Sequence, residues 1–248
     1  MPAPRQLKTA PITEALFDIR VKARDEFIVS EFSTLKDQLS SRFPVVEERR
    51  GGKITIQIPA GEEVAAAVED LGLQGYFFKA EEENLIAQFR LDGFTLNKLR
   101  PYTNWEELLP TAMELWNTYY SHARPEAITR LALRYINHIP IKGDYIDFDE
   151  YLTSGPQIPS ELPQTLRGFF SRVTIVDDDH SISANVAQAY ESDPATQGIR
   201  LILDIDAFKH VDMSPDAPEL VGMFSQLREF KNLIFFNYLT ERTLEMFQ

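Results

Sequence analysis

Ile12-Thr13-Glu14-Ala15-Leu16-Phe17-Asp18-Ile19-Arg20-Val21 and Ile128-Thr129-Arg130-Leu131-Ala132-Leu133-Arg134-Tyr135-Ile136-Asn137-His138-Ile139 are the two runs that decide the fold. Successive side chains of a strand point to opposite faces. The first run therefore sets Thr13, Ala15, Phe17 and Ile19 on one face and Glu14, Asp18 and Arg20 on the other. The second sets Leu131, Leu133 and Tyr135 against Arg130, Arg134 and His138. Each reads as a strand with one face for a core and one polar face.

Working outward from the first strand, Phe27, Ile28, Phe32, Leu35 and Leu39 recur at helical spacing and predict a helix from Phe27 to Ser41. Val45 to Glu48 and Ile54 to Ile58 flank Gly51-Gly52, a hairpin signal. Glu62 to Leu71 reads as a helical excursion. Gly75 to Ala80 and Leu85 to Leu91 flank the acidic turn Glu81-Glu82-Glu83-Asn84. Thr103-x-x-Glu106 has the form of a capping box opening a helix through Tyr120, with Pro110 implying a kink or a later start. The order is β-α-β-β-β-β-α.

Beyond the second strand, Phe148 to Leu152 reads as a helical stub and Ile158 to Pro163 as a proline-rich loop. Phe169 to Val176 and Ser181 to Tyr190 flank the turn Asp177-Asp178-Asp179-His180, and Ile199 to Ile205 is a further strand. A last helix opens near Asp216-x-x-Glu219, with Pro218 in its first turn, and is expected to run to Gln248, roughly 40 Å.

The halves echo each other. Ile12-Thr13 matches Ile128-Thr129, Leu73-Gln74-Gly75-Tyr76-Phe77 matches Leu166-Arg167-Gly168-Phe169-Phe170, and Asp92-Gly93-Phe94 matches Asp206-Ala207-Phe208. Leu109, Met113, Trp116 and Tyr120 fall on Met223, Leu227, Phe230 and Ile234, each set on one helical face. The expected architecture is α+β, with two pseudo-repeats, residues 1–124 and 125–248. Each is an antiparallel sheet backed by a long helix, in a saddle or helix-grip arrangement forming one compact unit.

Composition narrows the function classes. The 248 residues contain no cysteine, which excludes disulfides, cysteine zinc sites and thiol nucleophiles. No apolar run approaches the roughly 18 residues that span a bilayer, and Met1 to Lys8 has no signal-peptide core, so a cytoplasmic protein without membrane contact is expected. The net charge of −13 opposes nucleic-acid binding, since a polyanion is held by clustered Lys and Arg. The acidity is uneven: residues 1–124 hold 15 basic and 19 acidic residues, and residues 125–248 hold 10 and 19.

The common catalytic signatures, G-x-S-x-G, the P-loop, G-x-G-x-x-G and H-E-x-x-H, are absent. Asp177 to His180 lacks the spacing of a calcium loop and reads as a turn, so neither metal nor cofactor is expected. The repeat sets Glu14 against Arg130 and Asp18 against Arg134. Paired across a dyad, these residues form either an anion pocket lined by guanidinium groups or a structural ion-pair ladder. Phe230, Phe235, Phe236 and Tyr238 give the last helix apolar surface on more than one side, which points to internal cover or to a dimer or partner interface.

Ala10-Pro11-Ile12-Thr13-Glu14-Ala15-Leu16, Arg130 to Asn137 and Phe235-Phe236-Asn237-Tyr238-Leu239-Thr240-Glu241 together resemble a sporadically distributed prokaryotic family of about this length. That family is marked by a Pro-Ile-x-Glu start, a central Arg-Tyr-x-Asn strand and a helical end, and it brings no biochemical activity with it. The resemblance implies an accessory role of the defence or toxin-antitoxin kind and adds weight to Glu14, Arg134, Tyr135 and Asn137. The expected function is a non-enzymatic binding or regulatory protein, homodimeric or engaging a protein partner or small ligand. The candidate ligand residues are Glu14, Asp18, Arg130, Arg134, Tyr135, Asn137 and His138. The alternative is an enzyme that holds a small anionic substrate with Arg130 and Arg134.

Overall fold

A computed structural model of the chain describes residues 7–57, 65–143, 146–193 and 198–248. The two polar-faced runs become β1 (Ile12–Lys22) and β6 (Ala127–Ile141). They lie side by side and antiparallel at the middle of a nine-stranded sheet, with Phe17 opposite Leu133 and Arg20 opposite Arg130. The other strands are β2 (Val45–Gln57), β3 (Ala65–Ala80), β4 (Leu85–Arg90), β5 (Gly93–Leu99), β7 (Phe169–Asp177), β8 (Ile182–Asp193) and β9 (Gly198–Met213). Every pairing is antiparallel, in the order β2-β3-β4-β5-β1-β6-β9-β8-β7. The protein is thus α+β, with a single broad antiparallel sheet and few helices.

Helices cover one face. Val29–Thr34 is a 3-10 turn leading into α1 (Leu35–Leu39), followed along the chain by α2 (Trp105–Ala123), α3 (Phe148–Tyr151), α4 (Leu220–Tyr238) and α5 (Glu241–Glu245). Phe17, fully buried, lies with its ring 5.2 Å from Trp105 of α2 and 5.0 Å from Phe224 of α4, so both long helices meet over the central strand. A second aromatic group joins Phe32, Phe78, Phe89, Phe94 and Tyr119 beneath the 3-10 turn. One hydrophobic cluster holds residues from both halves of the chain. Burying such aromatic side chains stabilises by about 1.5–3 kcal/mol each.

Several local expectations are corrected. Gly51-Gly52 is no turn: β2 runs through it, with register shifts at Arg49/Arg50 and Gly51/Gly52. Glycine marks a bulge here, because β3 continues opposite and Ala65–Leu71, expected as helix, is strand. Glu62–Val64 and Ile58 lie outside the described residues. The strand count of the first half survives because Gly93–Leu99 forms a separate strand, β5. The helix expected over Phe27–Ser41 is a 3-10 turn plus one short α segment.

α2 is capped by Asn104 rather than Thr103: the Asn104 side chain accepts from Glu107 N at 2.8 Å, and Pro110 is carried inside the helix. Its deepest residues are Leu108, Ala112, Leu115, Trp116 and Tyr119; of the expected stripe Trp116 is buried, while Leu109, Met113 and Tyr120 pack at the margin of the core. The final helix ends at Tyr238. Leu239 turns extended and bridges to Leu152, and Thr240 caps α5. Thr153 N donates to Tyr238 O at 3.0 Å, and Thr240 N to Tyr151 O at 3.2 Å. Pairing with the α3 segment thus replaces helical hydrogen bonds. Among the described residues no helix is long and apolar enough to cross a membrane.

Candidate functional site on the helix-free sheet face

The face opposite the helices carries the even-numbered residues from Glu14 to Arg20 of β1 and from Arg130 to His138 of β6; register shifts at the strand ends turn Ile12 and Ile128 to the core. Asp18 is the hub of this face. One carboxylate oxygen accepts from Thr95 Oγ1 at 2.7 Å and Arg90 at 2.9 Å; the other accepts from Arg20 Nε at 3.0 Å and Arg130 at 3.3 Å. Burial pushes its pKa up, but Arg90, the Thr95 hydroxyl and Arg20 outweigh that and hold the carboxyl below its usual value.

The network continues on both sides. Arg130 reaches Asp206 at 3.0 Å and stacks 4.8 Å above the Phe208 ring. Arg134 grips Asp204 with two bonds, 2.8 and 2.5 Å, which raises its pKa further. Glu14 accepts from Asn97 at 2.5 Å, and Asn97 accepts from Gln88 at 2.8 Å. Asp92, in the β4–β5 turn, holds Arg20 and lies 3.3 Å from Arg90 Nε. Of the four charges that the repeat sets in equivalent positions, two pair directly across the β1–β6 seam. Asp18 takes Arg130, while β9 supplies the partners of both arginines.

Tyr135 and Asn137 do not join this face. They point to the helix side, where the Tyr135 hydroxyl is 3.0 Å from that of Tyr102 and Asn137 Nδ2 donates to Leu203 O at 2.9 Å. Lys231 of α4 lies 3.9 Å above the Tyr135 ring, only 7% exposed, and burial brings its pKa down to about 7. His138 sits on the open face opposite Ile202. Of the interface candidates, Phe235 is in the core and Phe230, Phe236 and Tyr238 are half-buried against it. Asp177 receives the His180 ring at 2.8 Å and its backbone N–H at 3.2 Å, closing the β7–β8 hairpin. Among the described residues no three His, Asp or Glu side chains converge as metal ligands.

Comparison with protein-family models, with curated proteins and with solved structures returned no match. Functional interpretation therefore rests on this chain's own geometry.

Sequence reasoning missed Arg90, Thr95, Asn97 and Asp204 as members of the network. Their signal was present in alternation: Gly93 to Leu99 and Leu203 to Phe208 both place polar residues at every second position, on the face set by β1 and β6.

Proposed function

We propose that this chain is a non-enzymatic binding or regulatory protein that engages a protein partner or small ligand on the helix-free face of its sheet. The observation that carries this reading is the Asp18 hub. Four donors from β1, β4, β5 and β6 converge on one carboxylate, fixing a polar surface in advance of any partner, so binding costs little side-chain ordering. Half-buried Leu16, Phe77, Ile136 and Ile202 lie on the same face and supply apolar area between the charges. The accessory role implied by the family resemblance fits a protein that acts through recognition. The alternative, Arg130 and Arg134 as clamps on an anionic substrate, has less support, because each guanidinium already holds an aspartate.

Two further features belong to this reading. The first is descent from a duplicated unit, with a dyad between Phe17 and Leu133. β5-β4-β3 and β9-β8-β7 extend outward from it in the same sense, although β2 has no counterpart and Asp206 stands opposite Arg134 where Thr95, not Asp92, stands opposite Asp18. The second is a homodimer. Capture of partners from the native cell with wild type and Phe77→Ser tests the main reading. Retention by wild type with loss in the variant is expected, and unchanged capture by a folded variant would overturn it.

A further inference from the structure

The ladder registers place Arg49, Gly75, Arg90, Gly93, Arg20, Arg130 and His210 in one row straight across seven strands of the open face. At about 4.8 Å per strand the row spans roughly 29 Å. The two glycines are required by space: a Cβ at Gly75 would lie 2.4 Å from Phe89 O and 3.0 Å from Arg90 Cγ, and one at Gly93 would lie 2.1 Å from Ile19 O. Without a side chain at Gly75, the stem of Arg90 lies against its backbone.

Three guanidinium groups of this row are already committed. Arg90, 4% exposed, binds Asp18 and lies beside Asp92, though its Nε makes no hydrogen bond; Arg20 binds Asp18 and Asp92; Arg130 binds Asp18 and Asp206. Arg49 is different. It is half-buried and, among the described residues, makes no ion pair or side-chain hydrogen bond, while its neighbours in β2 are satisfied: Glu47 by Lys79 at 2.6 Å and Glu48 by Arg50 at 3.3 Å. Burial and then the charge of Arg90 push its pKa below the usual arginine value. Asp92 also acts on Arg49 but through its charge alone, so the donors of this guanidinium have no anion in contact with them among the described residues.

We propose that Arg49 binds a compact phosphate-type oxyanion at the β2 side of the open face, with Arg90 and Arg20 adding long-range attraction while they keep their bonds to Asp18. Asp92 is the internal competitor at that site, since it already draws on Arg20 and Arg90. An extended polyanion is disfavoured by the net charge of −13, whereas a small dianion needs only Arg49, which has no ion pair among the described residues, and the positive field of its neighbours. The inference rests on the open face being the binding surface and names the chemistry of one part of it.

The test is calorimetric titration of inorganic phosphate at low ionic strength into the full chain, with Arg49→Gln and Asp92→Asn, each shown folded by circular dichroism. Arg49→Gln is expected to weaken binding about tenfold or more, and Asp92→Asn to tighten it several-fold. Opposite signs from two neighbouring substitutions are hard to obtain from non-specific binding. Wild-type affinity in Arg49→Gln, no gain in Asp92→Asn, or no heat from any of the three overturns the proposal. If the phosphate titrations fail in this way while Phe77→Ser still loses the captured partner, the anion site falls and the binding surface stands.

Discussion

Asp18 bears the most interactions of any residue on the open face, and its removal is correspondingly informative. Asp18→Asn keeps the shape but leaves Arg90 and Arg130 without their shared counter-charge; a loss of about 2–4 kcal/mol is expected in urea unfolding. Because the folded pKa lies below the unfolded value near 3.8, the stabilisation is present above that value and disappears as pH falls through the lower, folded one. The gap between wild type and variant should therefore close in acid, and a gap independent of pH would refute the assignment. Lys231 has the opposite sign. Its ammonium is buried against Tyr135, with Arg228 nearby and no carboxylate partner among the described residues. Between about 10.5 and 7 the unfolded chain keeps a proton that the folded chain sheds, so folding weakens as pH drops through that window and levels off below it. Lys231→Met should raise stability by ~2–4 kcal/mol at pH 7 and by little near pH 10.5. Thermal melts across that range decide it.

At the scale of elements, the two edges of the sheet are unlike. β2 carries Glu47, Glu48, Arg49 and Arg50, charges that discourage pairing with another strand. β7 instead exposes Phe170 at 71%, Val176 at 57% and Val173 at 47%. Antiparallel pairing of two copies of β7 about Val173 would set Phe170 opposite Val176 twice, which makes this edge a second candidate dimer surface beside α4. Light scattering should give a mass near twice 28.4 kDa for wild type and near 28.4 kDa for Val173→Lys; equal masses for the two would exclude this edge. The elements also show what could be read in advance. β1, β6, β7, β8 and the α3 stub were legible because strict alternation and turn residues agreed. Gly51-Gly52 misled because a glycine pair signals a hairpin and a bulge alike, and only the strand opposite distinguishes them. The break at Leu239 was invisible because neither Gly nor Pro marks it; contacts with Tyr151 and Leu152, some ninety residues away, end the helix. Lys231 escaped notice because a lysine in an apolar stripe reads as its solvent edge.

Over the whole molecule, the polar faces of β1 and β6 were legible as such, but the identity of each ion pair was not. Alternation states which face a residue takes, while partner choice depends on strand order, and β5 and β9 intervene on either side of the central pair. Arg134 lies on the open face as alternation states, and its partner Asp204 comes from β9. That same strand order has a consequence for how the protein is made. β1 precedes the other described strands in the chain and can pair with β5 once that strand is made, but its other edge has no native neighbour until β6 follows. Throughout that interval the nascent chain presents a long, alternating strand with unbonded backbone groups, the kind of edge that recruits chaperones or invites a wrong partner. The central seam of the finished sheet thus closes only when β6 follows β5, with β7, β8 and β9 still to come, and synthesis halted before residue 127 leaves β1 with one unbonded edge.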